Sequence, residues 1–192
     1  MNILRLIRLC YWPKNLVVFL PAIVTKQYNW IFDDPEYSLW LTFLSFTMVS
    51  VAGYIFNDLA DFDSDRKDIL KKKYKPLATG EVDKQVASFW LAVFLVGGLF
   101  IAHTYINNQV MLWEIAFFAI GIAYSFFLKS IPYVGLIIMS SAAAFRVLAG
   151  ASTMEIPAAS YLLIIVVSIN LAINFAIQSR KNKKRQLAQV SK

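Results

Sequence analysis

The chain has 192 residues, of which 58% are hydrophobic and 16% charged, with a formal net charge of +7. An ordinary soluble domain is less apolar and carries about 25% charge, so this composition excludes one. One cysteine, Cys10, and one histidine, His103, exclude an internal disulfide, a multi-cysteine metal site and a paired-histidine catalytic centre.

The apolar residues fall into nearly uncharged blocks of 17–22 residues. That is the length needed to cross about 30 Å of hydrocarbon as α-helix, the form in which a single apolar segment satisfies its own backbone there. The first span covers 16–28 and is short unless 11–15 extends it at the interface. Arg5, Arg8 and Lys14 precede it as in a signal peptide, but no small-residue cleavage site follows, and it reads as a retained helix. Further spans are expected at 39–56, 85–105, 110–128, 133–150 and 159–177. The connections at 107–109 and 130–132 are short enough to make their flanking helices antiparallel neighbours. The expected fold is thus all-α: a polytopic membrane bundle of about six helices forming one domain over 1–192, with a cytoplasmic loop at 57–84.

All but Lys26 and Arg146 of the 19 basic residues lie on one side of this arrangement. The bias predicts both termini in the cytoplasm and a plasma (inner) membrane location. Basic residues that flank spans and attract anionic headgroups account for the positive charge without nucleic acid.

The segment at 57–80, NDLADFDSDRKDILKKKYKPLATG, carries the chemistry. Asn57 and Asp58 follow directly on an uncharged run, which places the first acids at membrane depth, where carboxylates are costly and tend to be functional. Asp58, Asp61 and Asp65 are spaced three and four, so on a helix they share a face. Three stacked carboxylates repel one another unless a cation sits among them, and Mg²⁺ prefers carboxylates together with substrate phosphates. Arg66 and the lysines beyond would receive an anionic group. Asp63 and Asp68 fall on other faces. A solvated loop whose acids offset its lysines is the competing reading. Arg146 is a guanidinium inside a span, either snorkelling or facing a cavity that binds an anion.

The ordered pattern Asn57, Asp58, Asp61, Asp65, then Lys75, Pro76, Leu77, Ala78 and Gly80, resembles the first signature of the UbiA superfamily of intramembrane prenyltransferases. Two further stretches resemble its decaprenyl-phosphate phosphoribosyltransferase branch. One contains Trp12, Lys14 and Asn15, the other Tyr124, Leu128, Lys129, Arg146, Ala149 and Gly150. The resemblance implies Mg²⁺-dependent transfer of 5-phosphoribosyl from phosphoribosyl pyrophosphate to a polyprenyl phosphate. It implies a metal held by Asp58, Asp61 and Asp65, which are also the expected catalytic residues. It implies substrate binding by Lys14, Asn15, Asn57, Arg66, Lys75, Tyr124, Lys129, Arg146, Arg180 and Lys181.

The sequence departs from the family pattern after the sixth span. Arg180 and Lys181 stand where the family has a Lys-Arg pair, but no acid follows Glu155. The superfamily continues with further helices at this point. A homo-oligomer or a missing C-terminal half is therefore an expected partner besides membrane lipid, polyprenyl phosphate and the pyrophosphate-containing donor. Prenyl transfer from a prenyl diphosphate to an aromatic acceptor, and a non-catalytic lipid- or pyrophosphate-binding fragment of the fold, are the alternatives.

Overall fold

The computed structural model describes residues 2–34, 36–67, 75–128, 131 and 134–190, with residues 2, 9, 10 and 181–190 described in their backbone alone. The described residues form helices, in the order α1 Asn2–Ile7, a 3₁₀ segment Leu9–Phe19, α2 Leu20–Val24, α3 Asn29–Phe32, α4 Ser38–Ala60 and α5 Phe62–Lys67. There follow α6 Pro76–Thr79, α7 Lys84–Ile101, α8 Asn108–Ala123, α9 Val134–Thr153 and α10 Ser160–Val190. Single π-helical turns at Ala102–Ile106 and Tyr124–Leu128 extend α7 and α8.

Among the described residues, five helical stretches are long and apolar enough to cross a membrane: Ser38–Ala60, Lys84–Ile106, Asn108–Leu128, Val134–Thr153 and Ser160–Arg180. These correspond to the second to sixth expected spans, so the chain is an all-α polytopic bundle. The first expected span is different. Residues 16–28 do not form one α-helix: 16–24 divide between the 3₁₀ segment and α2, and 25–28 lie in the turns that follow. The cause is local: Pro13 and Pro21 bring no N–H to an α-helical ladder, and Arg8 enters the segment in the left-handed conformation (φ 54°, ψ 53°).

The expected loop at 57–84 is also partly helical. Asn57 and Asp58 belong to the last turn of α4, which runs to Ala60, and α5 and α6 follow. At the 107–109 connection the turn is a single extended residue, Asn107, whose side chain caps α8 by accepting from the Val110 N–H at 2.9 Å.

α4 is the central helix. Over half (56%) of its most apolar stretch is buried, against 11% for those of α8 and α10, whose outer faces are apolar and exposed. The core beneath it is built of Val18, Phe19 and Ala22 from the first segment, Leu39 and Phe46 of α4, and Val110 and Ala149. A second cluster at the opposite end joins Leu6, Val51, Ile55, Leu77, Val82 and Ala87. Gly150 lets the first segment lie directly on α9: a Cβ there would stand 2.0 Å from the Val18 carbonyl oxygen.

Candidate functional site

The acidic motif sits where α4 runs out. The backbone turns at Asp61 (φ −90°, ψ 1°), yet the near-helical register continues. The Asp61 N–H donates to the Asn57 carbonyl at 3.0 Å and the Asp65 N–H to the Asp61 carbonyl at 2.9 Å. Asp58 and Asp65, two helical turns apart, therefore face the same way. Both side chains are 1% exposed, a depth at which a carboxylate needs a partner.

Lys75 is that partner. Its ammonium lies 2.8 Å from Asp58 Oδ1 and 2.5 Å from Asp65 Oδ2. The sequence that places it is physically legible. Lys75 is extended, Pro76 opens the one-turn helix α6, and Gly80 closes it in the left-handed conformation (φ 82°) that favours glycine. Leu77, buried in the cluster with Leu6, Val51, Ile55 and Ala87, anchors this turn and so fixes the base of the Lys75 side chain. Burial weakens the ammonium's hold on its proton. Hydrogen bonds and coulombic attraction from Asp58 and Asp65 together outweigh that, and its pKa is raised.

Arg8 completes the cluster. Its Nη2 donates to both oxygens of Asp58, at 2.5 and 2.7 Å, and its guanidinium rests over the Tyr54 ring 5.7 Å from the centroid. Two cations and two carboxylates thus form one chain, Arg8–Asp58–Lys75–Asp65. Nothing in the sequence pointed to Arg8 as Asp58's partner, because the pairing spans fifty positions and has no local spacing to reveal it.

A second polar cluster lies deeper, between α4, α9 and the first segment. Arg146 is 6% exposed. Its Nε donates to Asn15 Oδ1 at 2.7 Å and its Nη1 to the Ala142 carbonyl at 2.8 Å. The guanidinium lies 5.3 Å from the Phe46 ring and 5.1 Å from the Phe117 ring, in the range of cation–π attraction. Asn15, also buried, donates to Thr47 Oγ1 at 2.9 Å. Arg146 therefore faces the bundle interior and does not snorkel. A further buried acid, Glu114 of α8, accepts from Ser45 Oγ at 2.6 Å.

Of the expected substrate residues, Lys75 joins the acids, and Asn15 joins Arg146. Asn57 accepts from Ser125 Oγ at 3.2 Å, which ties the end of α4 to the π turn carrying Tyr124. Tyr124 itself packs against Gly135 of α9. Lys14 is exposed and its ammonium lies 4.7 Å from the Tyr11 ring. Arg66 is exposed over Phe62. Arg180 is exposed on α10. Lys129, like Asp68, lies outside the described residues, and so does the side chain of Lys181.

Mg²⁺ favours oxygen ligands, and this cluster offers them. Asp58 and Asp65 already converge on a single cation, so the donors fit a hard divalent ion. Among the described residues, however, no three acidic, histidine or cysteine side chains gather closely enough to hold a metal, so Asp61 does not complete the expected three-carboxylate set in this arrangement.

Comparison with known proteins agrees with the motif and the fold. The profile of the UbiA prenyltransferase family matches residues 16–188. The chain belongs to that family. It is 25% identical over 190 residues to the decaprenyl-phosphate phosphoribosyltransferase of Mycolicibacterium smegmatis, covering 98% of this chain and 58% of that protein. It is 29% identical over 146 residues to the uncharacterized protein y4nM of Sinorhizobium fredii, covering 75% of this chain and 27% of that protein. A 4-hydroxybenzoate octaprenyltransferase of Dechloromonas aromatica is 28% identical over 108 residues, covering 56% of this chain and 33% of that protein. The chain thus spans less than two thirds of the length of each of these relatives.

Proposed function

We propose that this UbiA-family chain transfers 5-phosphoribosyl from phosphoribosyl pyrophosphate to a polyprenyl phosphate, in the plasma membrane, with both termini and the acidic cluster on the cytoplasmic side. The observation that carries the reading is the buried Arg8–Asp58–Lys75–Asp65 cluster at the end of α4. The similarity to a decaprenyl-phosphate phosphoribosyltransferase along nearly the whole chain supports the choice of donor and acceptor.

Asp58 and Asp65 would hold Mg²⁺, joined by Asp61 once metal and pyrophosphate have rearranged the cluster. When bound, Mg²⁺ supplies charge neutralisation for the departing pyrophosphate. Lys75 and Arg8 stand within reach of the same anion and would take its remaining oxygens, Arg8 as a two-pronged donor and Lys75 as a point charge. Arg146, held by Asn15 between two aromatic rings, would orient a phosphate at membrane depth. The acceptor phosphate is already a nucleophile, so the displacement needs no activating base. Lys14, Asn57, Arg66, Tyr124, Lys129, Arg180 and Lys181 are secondary contacts in this reading. Longer relatives leave room for further helices from a second copy or a separate C-terminal part.

The test is Mg²⁺-dependent transfer of labelled phosphoribose from phosphoribosyl pyrophosphate to polyprenyl phosphate by the purified chain, with Asp61→Asn as control. Product from the wild type alone is expected. A parallel arm supplies prenyl diphosphate and 4-hydroxybenzoate, motivated by the octaprenyltransferase match. Product in that arm and none in the first would replace phosphoribosyl transfer with prenyl transfer.

A further inference from the structure

We infer that Arg8 and Lys75 are resident counter-ions that make uptake of a divalent cation and of a pyrophosphate group mutually dependent. The inference rests on the metal–pyrophosphate reading of the acidic cluster and goes beyond it, since it specifies what must leave before a metal can enter.

Asp58 has no oxygen to spare. Arg8 takes both Oδ1 and Oδ2, and Lys75 takes Oδ1 again. Lys75 also takes Oδ2 of Asp65. Mg²⁺ binds carboxylate oxygens at about 2.0–2.1 Å and tolerates little departure from octahedral geometry, so it cannot share these oxygens with an ammonium and a guanidinium in their present places. A metal arriving alone at Asp58 must expel both Arg8 and Lys75 from that buried carboxylate. It would then lie beside the charges it displaced, which would have lost their partners. Pyrophosphate arriving alone meets cations already neutralised by Asp58 and Asp65. Together they permit an exchange in which the carboxylates turn to the metal and Arg8 and Lys75 turn to phosphate oxygens. Every buried charge then keeps an opposite neighbour.

The geometry suits such an exchange. Lys75 projects from a base fixed by Pro76, Leu77 and Ala78, while its side chain remains 20% exposed. Arg8 projects from the joint between α1 and the 3₁₀ segment, where Leu6 is fully buried, and its side chain is 22% exposed. Both can swing at the open edge of the cluster without moving the elements that carry them.

The experiment measures Mn²⁺ binding to the full chain in lipid nanodiscs by electron paramagnetic resonance, without and with inorganic pyrophosphate. The forms compared are wild type, Arg8→Gln, Lys75→Gln, Arg8→Lys, Lys75→Arg and Asp58→Asn. Wild type is expected to bind Mn²⁺ alone weakly. The two Gln variants should bind it about tenfold more tightly, within the usual range of coupling between linked sites. Arg8→Lys and Lys75→Arg keep the positive charge, so they should hold Mn²⁺ alone as weakly as wild type. They also carry the test if a Gln variant fails to fold. Equal Mn²⁺ affinity in wild type and Gln variants, or tight Mn²⁺ binding by the charge-conserving pair, would overturn the counter-ion inference while leaving the site itself in place. If no form binds Mn²⁺ with or without pyrophosphate and Asp58→Asn changes nothing, the metal–pyrophosphate reading fails and takes the inference with it.

Discussion

Replacing Gly150 with alanine tests whether the first segment is seated as described and whether that seating matters to Arg146. The new Cβ would stand 2.0 Å from the Val18 carbonyl oxygen, and the obstacle is backbone, which cannot rotate away. Even a C–H···O contact needs roughly 3.3 Å, so the segment and α9 must separate by about 1 Å. Arg146 lies one turn before Gly150 on α9, and Asn15 one turn before Val18 on its own segment, so their 2.7 Å bond spans the same gap. Opening that gap carries the bond past the ~3.2 Å usual for N–H···O geometry. Overpacking of this kind costs about 1–3 kcal/mol, which for a chain of this size is roughly 3–10 °C of melting temperature. The assay is thermal unfolding in lipid nanodiscs, paired with the affinity for phosphoribosyl pyrophosphate. Gly53→Ala is the control: no atom lies within 4 Å of its Cβ position, so it should melt at or slightly above wild type. A Gly150→Ala protein that melts with wild type and keeps its donor affinity would refute the seating of the first segment on α9.

Arg146→Lys should not behave as a conservative change. Lysine lacks the planar fork that meets Asn15 and the Ala142 carbonyl while lying between Phe46 and Phe117, and transfer kinetics should show a drop of at least about tenfold in kcat/KM. Full activity in the lysine variant would reduce Arg146 to a simple positive charge. The pH dependence of the acidic cluster follows from Lys75, whose pKa is raised in the folded chain. A lysine that holds its proton more tightly when folded contributes stability below its unfolded pKa and loses it as pH climbs through the folded value. The melting difference between wild type and Lys75→Gln should therefore be flat from about pH 7 to 9 and shrink only above the ordinary lysine value near 10.4. A difference that vanishes between pH 7 and 9 would contradict the placement of Lys75 between two carboxylates.

The spans from α4 onward were legible because block length and lack of charge are sufficient to specify a membrane helix. The first segment was not, because hydropathy does not register what Pro13, Pro21 and a left-handed Arg8 do to a hydrogen-bond ladder. The pairing of Asp58 with Asp65 was legible from their spacing, and their register survives the turn at Asp61. Their counter-ions were less so. Family resemblance suggested a phosphate role for Lys75, but only folding places it against the acids, and Arg8 carries no motif at all. Arg146 was conspicuous as a charge in a span. Its hydrogen bond to Asn15 joins residues 131 positions apart, a distance at which one sequence has no periodicity to offer.

Both polar clusters nevertheless depend on one short stretch of chain. Arg8 grips Asp58 at the end of α4, and Asn15, seven residues on, grips Arg146 in the interior. Leu6 on one side and Val18 and Phe19 on the other bury the ends of this stretch in two separate core clusters. An irregular segment suits that task better than an α-helix would. Its 3₁₀ path rises about 2.0 Å per residue, compared with 1.5 Å for α, so it spans more depth with the same few residues. Arg8 and Asn15 thus hang from one continuous stretch of backbone, one side chain reaching the acids and the other Arg146. In the proposed reaction the pyrophosphate is released at the first cluster and a phosphate is oriented by the second, so this stretch is the shortest covalent link between the two sites.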